Sequence, residues 1–93
     1  MSENTTQPKV KRTRFTFHTD PGHAWLEVTP YELQQSGFKP SRFSYIWNGK
    51  HMLEEDCDAP GFLKAAGLLD DRGKPIPALS FEEKTHHTAP WRN

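Results

Sequence analysis

Three side chains able to bind a metal or move a proton crowd one short stretch of the chain: His18, Asp20 and His23. Two imidazoles and a carboxylate are proper ligands for zinc or another divalent ion, and three protein ligands leave one position open for a reacting water. The spacing H-x-D-x-x-H matches no established metal motif, and Asp20-Pro21-Gly22-His23 has the composition of a tight turn. A charge-assisted hydrogen bond between Asp20 and His23 across that turn explains both residues, as does Asp20 bonding backbone N–H groups. A second candidate is Glu54-Glu55-Asp56-Cys57-Asp58. It lacks the alternating ligands and the glycine of a calcium loop. Its negative neighbours disfavour the Cys57 thiolate, which makes that cysteine a poor nucleophile and the segment a solvated acidic rim. Lys9, Lys11, Arg12 and Arg14 form a basic arm with the charge to grip phosphates. His86-His87 is too short and too terminal a pair to hold a metal alone.

The elements that must position these groups follow from periodicity. Residues 14–19 (RFTFHT) alternate apolar and polar, as a half-buried strand does, and Trp25-Leu26-Glu27-Val28 alternates again beyond the turn. Thr29, Pro30 and Glu32 spell a capping box with proline at the first helical position, and Gly37 is placed to stop a short helix. The pattern then recurs. Residues 42–47 (RFSYIW) read as a strand, Asn48-Gly49 as a hairpin turn and residues 50–55 as the return. Asp58 reads as the cap of a second helix that Gly67 ends. Pro30, Leu33 and Gly37 recur as Pro60, Leu63 and Gly67, which fits either a duplication or the shared grammar of capped helices.

The order ββαββα implies an α+β fold: a four-stranded antiparallel sheet with two short helices on one face. Residues 1–13 read as a disordered basic arm and 14–69 as the domain. Residues 70–93 read as an extended tail, with an edge strand at 80–84. Register sorts the faces. Phe17 opposite Leu26 and Phe15 opposite Val28 belong to the core, whereas Thr16, His18, Trp25 and Glu27 face the other way. In the second hairpin Trp47 pairs with Lys50, Tyr45 with Met52 and Phe43 with Glu54. The helix-free face then carries His18, Trp25, Phe43, Tyr45, Trp47 and Met52, an aromatic patch that needs a cover or a partner. The C-terminal segment around Phe81 and Trp91 is one cover, and a second copy of the chain is another.

The stretches HTDPGHAWLEV (His18 to Val28) and LEEDCDA (Leu53 to Ala59) together resemble a family of small uncharacterised bacterial proteins also found in phages and on plasmids. That family reads TDPGHGWLEV early and YLEEDCDA further on. The resemblance covers roughly residues 15–67, with Ala24 where the family has glycine and Met52 where it has tyrosine. It implies a cytoplasmic protein of mobile-element origin and carries no activity with it.

Twelve basic residues balance twelve acidic ones in this chain of 93, so no global field attracts nucleic acid or a membrane. No apolar run approaches the ~20 residues of a membrane span. A lone cysteine points to a reducing, cytoplasmic setting. The expectation is a small non-enzymatic binding protein that needs no cofactor and presents its aromatic sheet face to a protein partner or to itself. Nucleic-acid binding through the basic arm and the aromatic platform is the alternative, opposed by Glu27 and Glu54 on the same face. A metal-dependent enzyme at His18, Asp20 and His23 is the second alternative.

Overall fold

The structure is a computed structural model and describes residues 9–87. The elements are β1 (Arg14–Asp20), β2 (His23–Val28), α1 (Pro30–Ser36), β3 (Tyr45–Trp47), β4 (Lys50–Glu54), α2 (Ala59–Ala65) and β5 (Ser80–Thr85). Both hairpins turn where the sequence asks. Gly22 takes φ 99°, and Asn48 and Gly49 take φ 54° and 76°, the left-handed pair that a two-residue hairpin loop requires. Thr29 accepts from the Glu32 N–H at 3.0 Å, the Glu32 carboxylate accepts from the Thr29 N–H at 2.9 Å, and Gly37 closes α1 in the left-handed region. Each helix has seven residues, too few to persist alone, so both depend on packing.

That packing occupies one face of the sheet. Phe15, Leu26, Val28 and Leu53 point from the strands toward Leu33 of α1 and Phe62 and Leu63 of α2. Phe17 is only partly buried, because it sits one strand from the edge, where Phe81 lies beside it at 5.1 Å between ring centroids.

The α+β class stands, but the sheet has five strands in the order β3-β4-β2-β1-β5 and is mixed rather than wholly antiparallel. β5 runs parallel to β1, with Phe15 beside Phe81 and His18 beside Lys84. Every side chain of β5 is exposed, so the strand is held largely through its backbone and leaves no period-2 burial pattern in the sequence. The second hairpin is shorter than its composition suggests. Only Tyr45–Trp47 pairs with β4, so Phe43 stands outside the sheet and has no place opposite Glu54. The reason is Asp58. Its side chain makes no cap bond to α2; its Oδ2 instead accepts from Ser41 N–H, Ser41 Oγ and Ser44 Oγ, which ties the approach to β3 into a loop.

Residues 9–13 belong to the body of the fold rather than to a free arm. Val10 is 3% exposed within the core, and Lys9 N–H donates to Ala66 O at 2.8 Å. Arg12 grips Glu32 through two 2.8 Å contacts and covers the Phe15 ring at 4.3 Å, so the capping box also clamps the chain that precedes β1. Residues 1–8 and 88–93, Trp91 among them, lie outside the described residues. Val10→Ala is expected to lower stability by about 1–2 kcal/mol in denaturant titration, from two lost buried methyl groups. Lys11→Ala is expected to stay within about 0.5 kcal/mol of the parent.

Candidate functional site

The helix-free face is assembled by three registers. β1 and β2 set His18 opposite Trp25 and Thr16 opposite Glu27. β2 and β4 set Trp25 opposite Glu54 and Glu27 opposite Met52. β4 and β3 set Met52 opposite Tyr45 and Lys50 opposite Trp47. Since opposed residues share a face, Trp25 and Trp47, from different hairpins, emerge on the same side. The rings interlock there. Trp25 meets Tyr45 edge-on at 4.8 Å and stacks with His23 at 5.8 Å. Trp47 reaches His18 at 5.6 Å.

The patch is a packed layer and not an open platform. His18 is 2% exposed, Trp25 7% and Met52 0%, while Tyr45 and Trp47 remain half-buried. Phe81 takes no part in covering it, because Phe81 packs on Phe17 toward the helix side. Phe43 is likewise absent from the layer; it stands 54% exposed in the loop before β3, with the Arg42 guanidinium 5.5 Å from its ring.

At the centre of the layer lies a hydrogen-bonded chain that crosses four strands. Lys50 Nζ lies 3.5 Å from Glu27 Oε2, and Glu27 Oε1 lies 2.6 Å from His18 Nε2. His18 Nδ1 in turn lies 2.9 Å from His86 Nε2, one residue beyond the end of β5. Burial alone would raise the Glu27 carboxyl, but the bond from His18 and the charge of Lys50 outweigh it and hold Glu27 below the ordinary carboxylate range. Hairpin register already sets Glu27 diagonal to His18 on this face. His86 is the member that its sequence context conceals, since it arrives through a parallel pairing 68 residues away.

The metal triad expected at the first turn does not assemble as such. Asp20 Oδ1 and His23 Nδ1 are 3.7 Å apart, a loose pair closing the turn, and His18 is committed to Glu27 and His86. Among the described residues no three His, Cys, Asp or Glu side chains converge to hold a metal. In the acidic segment Glu54 accepts from the N–H groups of Asp56 and Cys57, and a hydrogen bond with Glu54 is the main reason the exposed Cys57 thiol sits above its usual range. The basic arm is partly neutralised, Arg12 by Glu32 and Arg14 by Glu82 at 3.4 Å.

No protein-family model, no curated protein and no solved structure matches this chain. Among the described residues no helix is long and apolar enough to cross a membrane.

A carboxylate held below its ordinary value contributes stability that is complete above about 4.5 and is lost as the pH falls through its native value. Glu27→Gln is therefore expected to be about 1–2 kcal/mol less stable at pH 7. Below pH 4.5 its stability should change less with acidification than the parent's, as read by urea midpoints across that range.

Proposed function

We propose that this chain is a small non-enzymatic protein-binding domain and that its contact surface lies at the β3 end of the sheet. The observation that carries this reading is the exposure of large apolar groups on one five-residue stretch: Phe43 at 54% and Ile46 at 66%, with Tyr45 and Trp47 half-exposed between and beside them. Ile46 points to the helix side as register requires, yet α1 and α2 sit over the inner strands and leave it bare. Pro40, Tyr45, Ile46 and His51 line a shallow concavity next to it. Rigid aromatic and branched side chains of this kind supply much apolar area at low entropic cost, as binding hot spots do. The deeper residues of the layer, His18, Trp25 and Met52, act as the support that holds Tyr45 and Trp47 in place.

The resemblance to phage and plasmid proteins favours a host protein as the partner. Nucleic acid is the weaker reading, because two of the four arm cations are engaged by carboxylates and Glu27 and Glu54 share the aromatic face. Self-association through the same surface is the competing outcome, and sedimentation of the purified chain distinguishes it.

The test is a Phe43→Ser plus Ile46→Ser variant of the full chain, compared with Tyr31→Ser on the exposed surface of α1. Partner capture from the native host should weaken at least about tenfold for the double variant and stay unchanged for the control, with both thermally as stable as the parent. Equal recovery of the same partners by the double variant contradicts the proposal.

A further inference from the structure

The contact between His18 and His86 is head-on. His18 Nδ1 and His86 Nε2 are 2.9 Å apart, the ring centroids 5.1 Å apart and the ring planes 25° apart. The centroid distance is close to the nitrogen separation plus one ring radius on each side, so the two nitrogens aim at each other along the line of centres. This alignment suits one proton shared between two lone-pair positions. A metal ion bonded to both nitrogens at ~2.0–2.1 Å would need a wider gap.

Glu27 decides where the protons sit. An ionised carboxylate only accepts, so His18 presents N–H at Nε2 and a lone pair at Nδ1, and His86 donates from Nε2. A first proton leaves the bond intact on either ring: on His86, Nε2 still donates; on His18, beside the Glu27 carboxylate, Nδ1 donates to a His86 ring that carries its own proton on the far nitrogen. A second proton sets two N–H groups against each other at 2.9 Å. The pair thus tolerates one positive charge and breaks on two.

This bond stands at a weak point of the sheet. β5 buries none of its own residues. Beyond its ladder to β1 the described contacts that tie it down are the Phe17–Phe81 rings, the exposed Arg14–Glu82 pair and long, exposed bonds from the Thr19 hydroxyl to Lys84 O and Thr85 Oγ1 at 3.5 and 3.3 Å. We infer that the His18–His86 pair is an acid-released clasp, fastening the C-terminal end of β5 to β1 and freeing that strand when both rings are protonated. Among the described residues, Asp20 on β1, Glu27 and His23 on β2, Lys50 on β4, Lys84 on β5 and His87 after it are the other ionisable groups around the pair. Burial, and then the charges of His18, Lys84 and His87, hold His86 below the ordinary imidazole value of 6.5, with Asp20 acting in the opposite direction. In the released strand His86 takes up its proton near that value; in the fastened one it does so only below it. The released state therefore binds more protons, and the clasp loses ground as the pH falls below about 6.5.

Amide hydrogen exchange on the full chain tests this directly. Ser80 N–H donates to Thr13 O and His86 N–H to Thr19 O, so both report on the fastened strand. Between pH 7.5 and 5, after correction for the intrinsic pH dependence of exchange, their protection should fall at least about tenfold while Leu26 and Leu53 keep theirs. In His86→Gln the side-chain amide can donate to His18 or, turned over, accept from it, so the fall should be absent. An equal fall in His86→Gln, or none in the parent, overturns the inference. The imidazole nitrogen shifts of the parent give a second readout: two coupled steps are expected, the lower coincident with loss of β5 protection. A single step for His86 at the ordinary value with β5 unmoved also overturns it.

Discussion

Leu26 and Leu53 stand opposite each other across β2 and β4, both fully buried, and this pairing joins the two hairpins into one sheet. Side chains alternate with a strict period of two, so fixing one opposed pair fixes the facing of every residue in both hairpins. With Leu26 and Leu53 turned toward Phe62 and Leu63, Trp25, Glu27, Met52 and Glu54 have no choice but the other side. A slip of one residue would exchange the layers and bring Glu27 under the helices. The cost of burying that carboxylate without its partners, together with the exposure of two leucines, makes the observed register the stable one.

Each layer then solves a different problem. The helix side is an ordinary apolar core, closed at one end by Val10 and clamped by the bidentate Arg12–Glu32 pair. The opposite side mixes aromatic rings with ionisable groups, and every polar member of its central chain is satisfied by the next: Lys50 by Glu27, Glu27 by His18, His18 by His86. Trp47 lies edge-on to both imidazoles, at 5.6 and 6.2 Å, and shields the middle of that chain from water. Low local polarity strengthens each bond and raises the penalty for losing any one of them. A layer built this way is specific and sensitive to protonation, whereas the helix side responds chiefly to lost volume.

Much of this arrangement is legible in the sequence because it is local. The capping box at Thr29 and Glu32, the stops at Gly37 and Gly67 and the Asn48-Gly49 turn are all set by contacts within a few residues. Hairpin register follows from turn length, which is why the shared face of Trp25 and Trp47 can be derived without coordinates. What escapes is long-range. Asp58 has the right type and place for a helix cap, and only the folded chain shows that it serves Ser41 and Ser44 instead. β5 has no burial pattern of its own, and its parallel alignment with β1 depends on where the preceding connection delivers it. Without that alignment His86 cannot be placed, so His18 is read with the nearby Asp20 and His23 instead of with Glu27 and His86. The burial of the aromatic face escapes for the same reason: alternation tells which way a side chain points, not what lies above it.

The decisive measurement is a set of interproton contacts in the full chain by NMR. They should link β2 to β4 in the Leu26–Leu53 register, the Trp25 indole to the Tyr45 ring, and the His18 ring to both Trp47 and His86. Contacts from the Trp25 indole to Phe62 or Leu63, with His18 remote from Trp47, would place the aromatic residues under the helices and contradict the two-faced sheet from which the site is built.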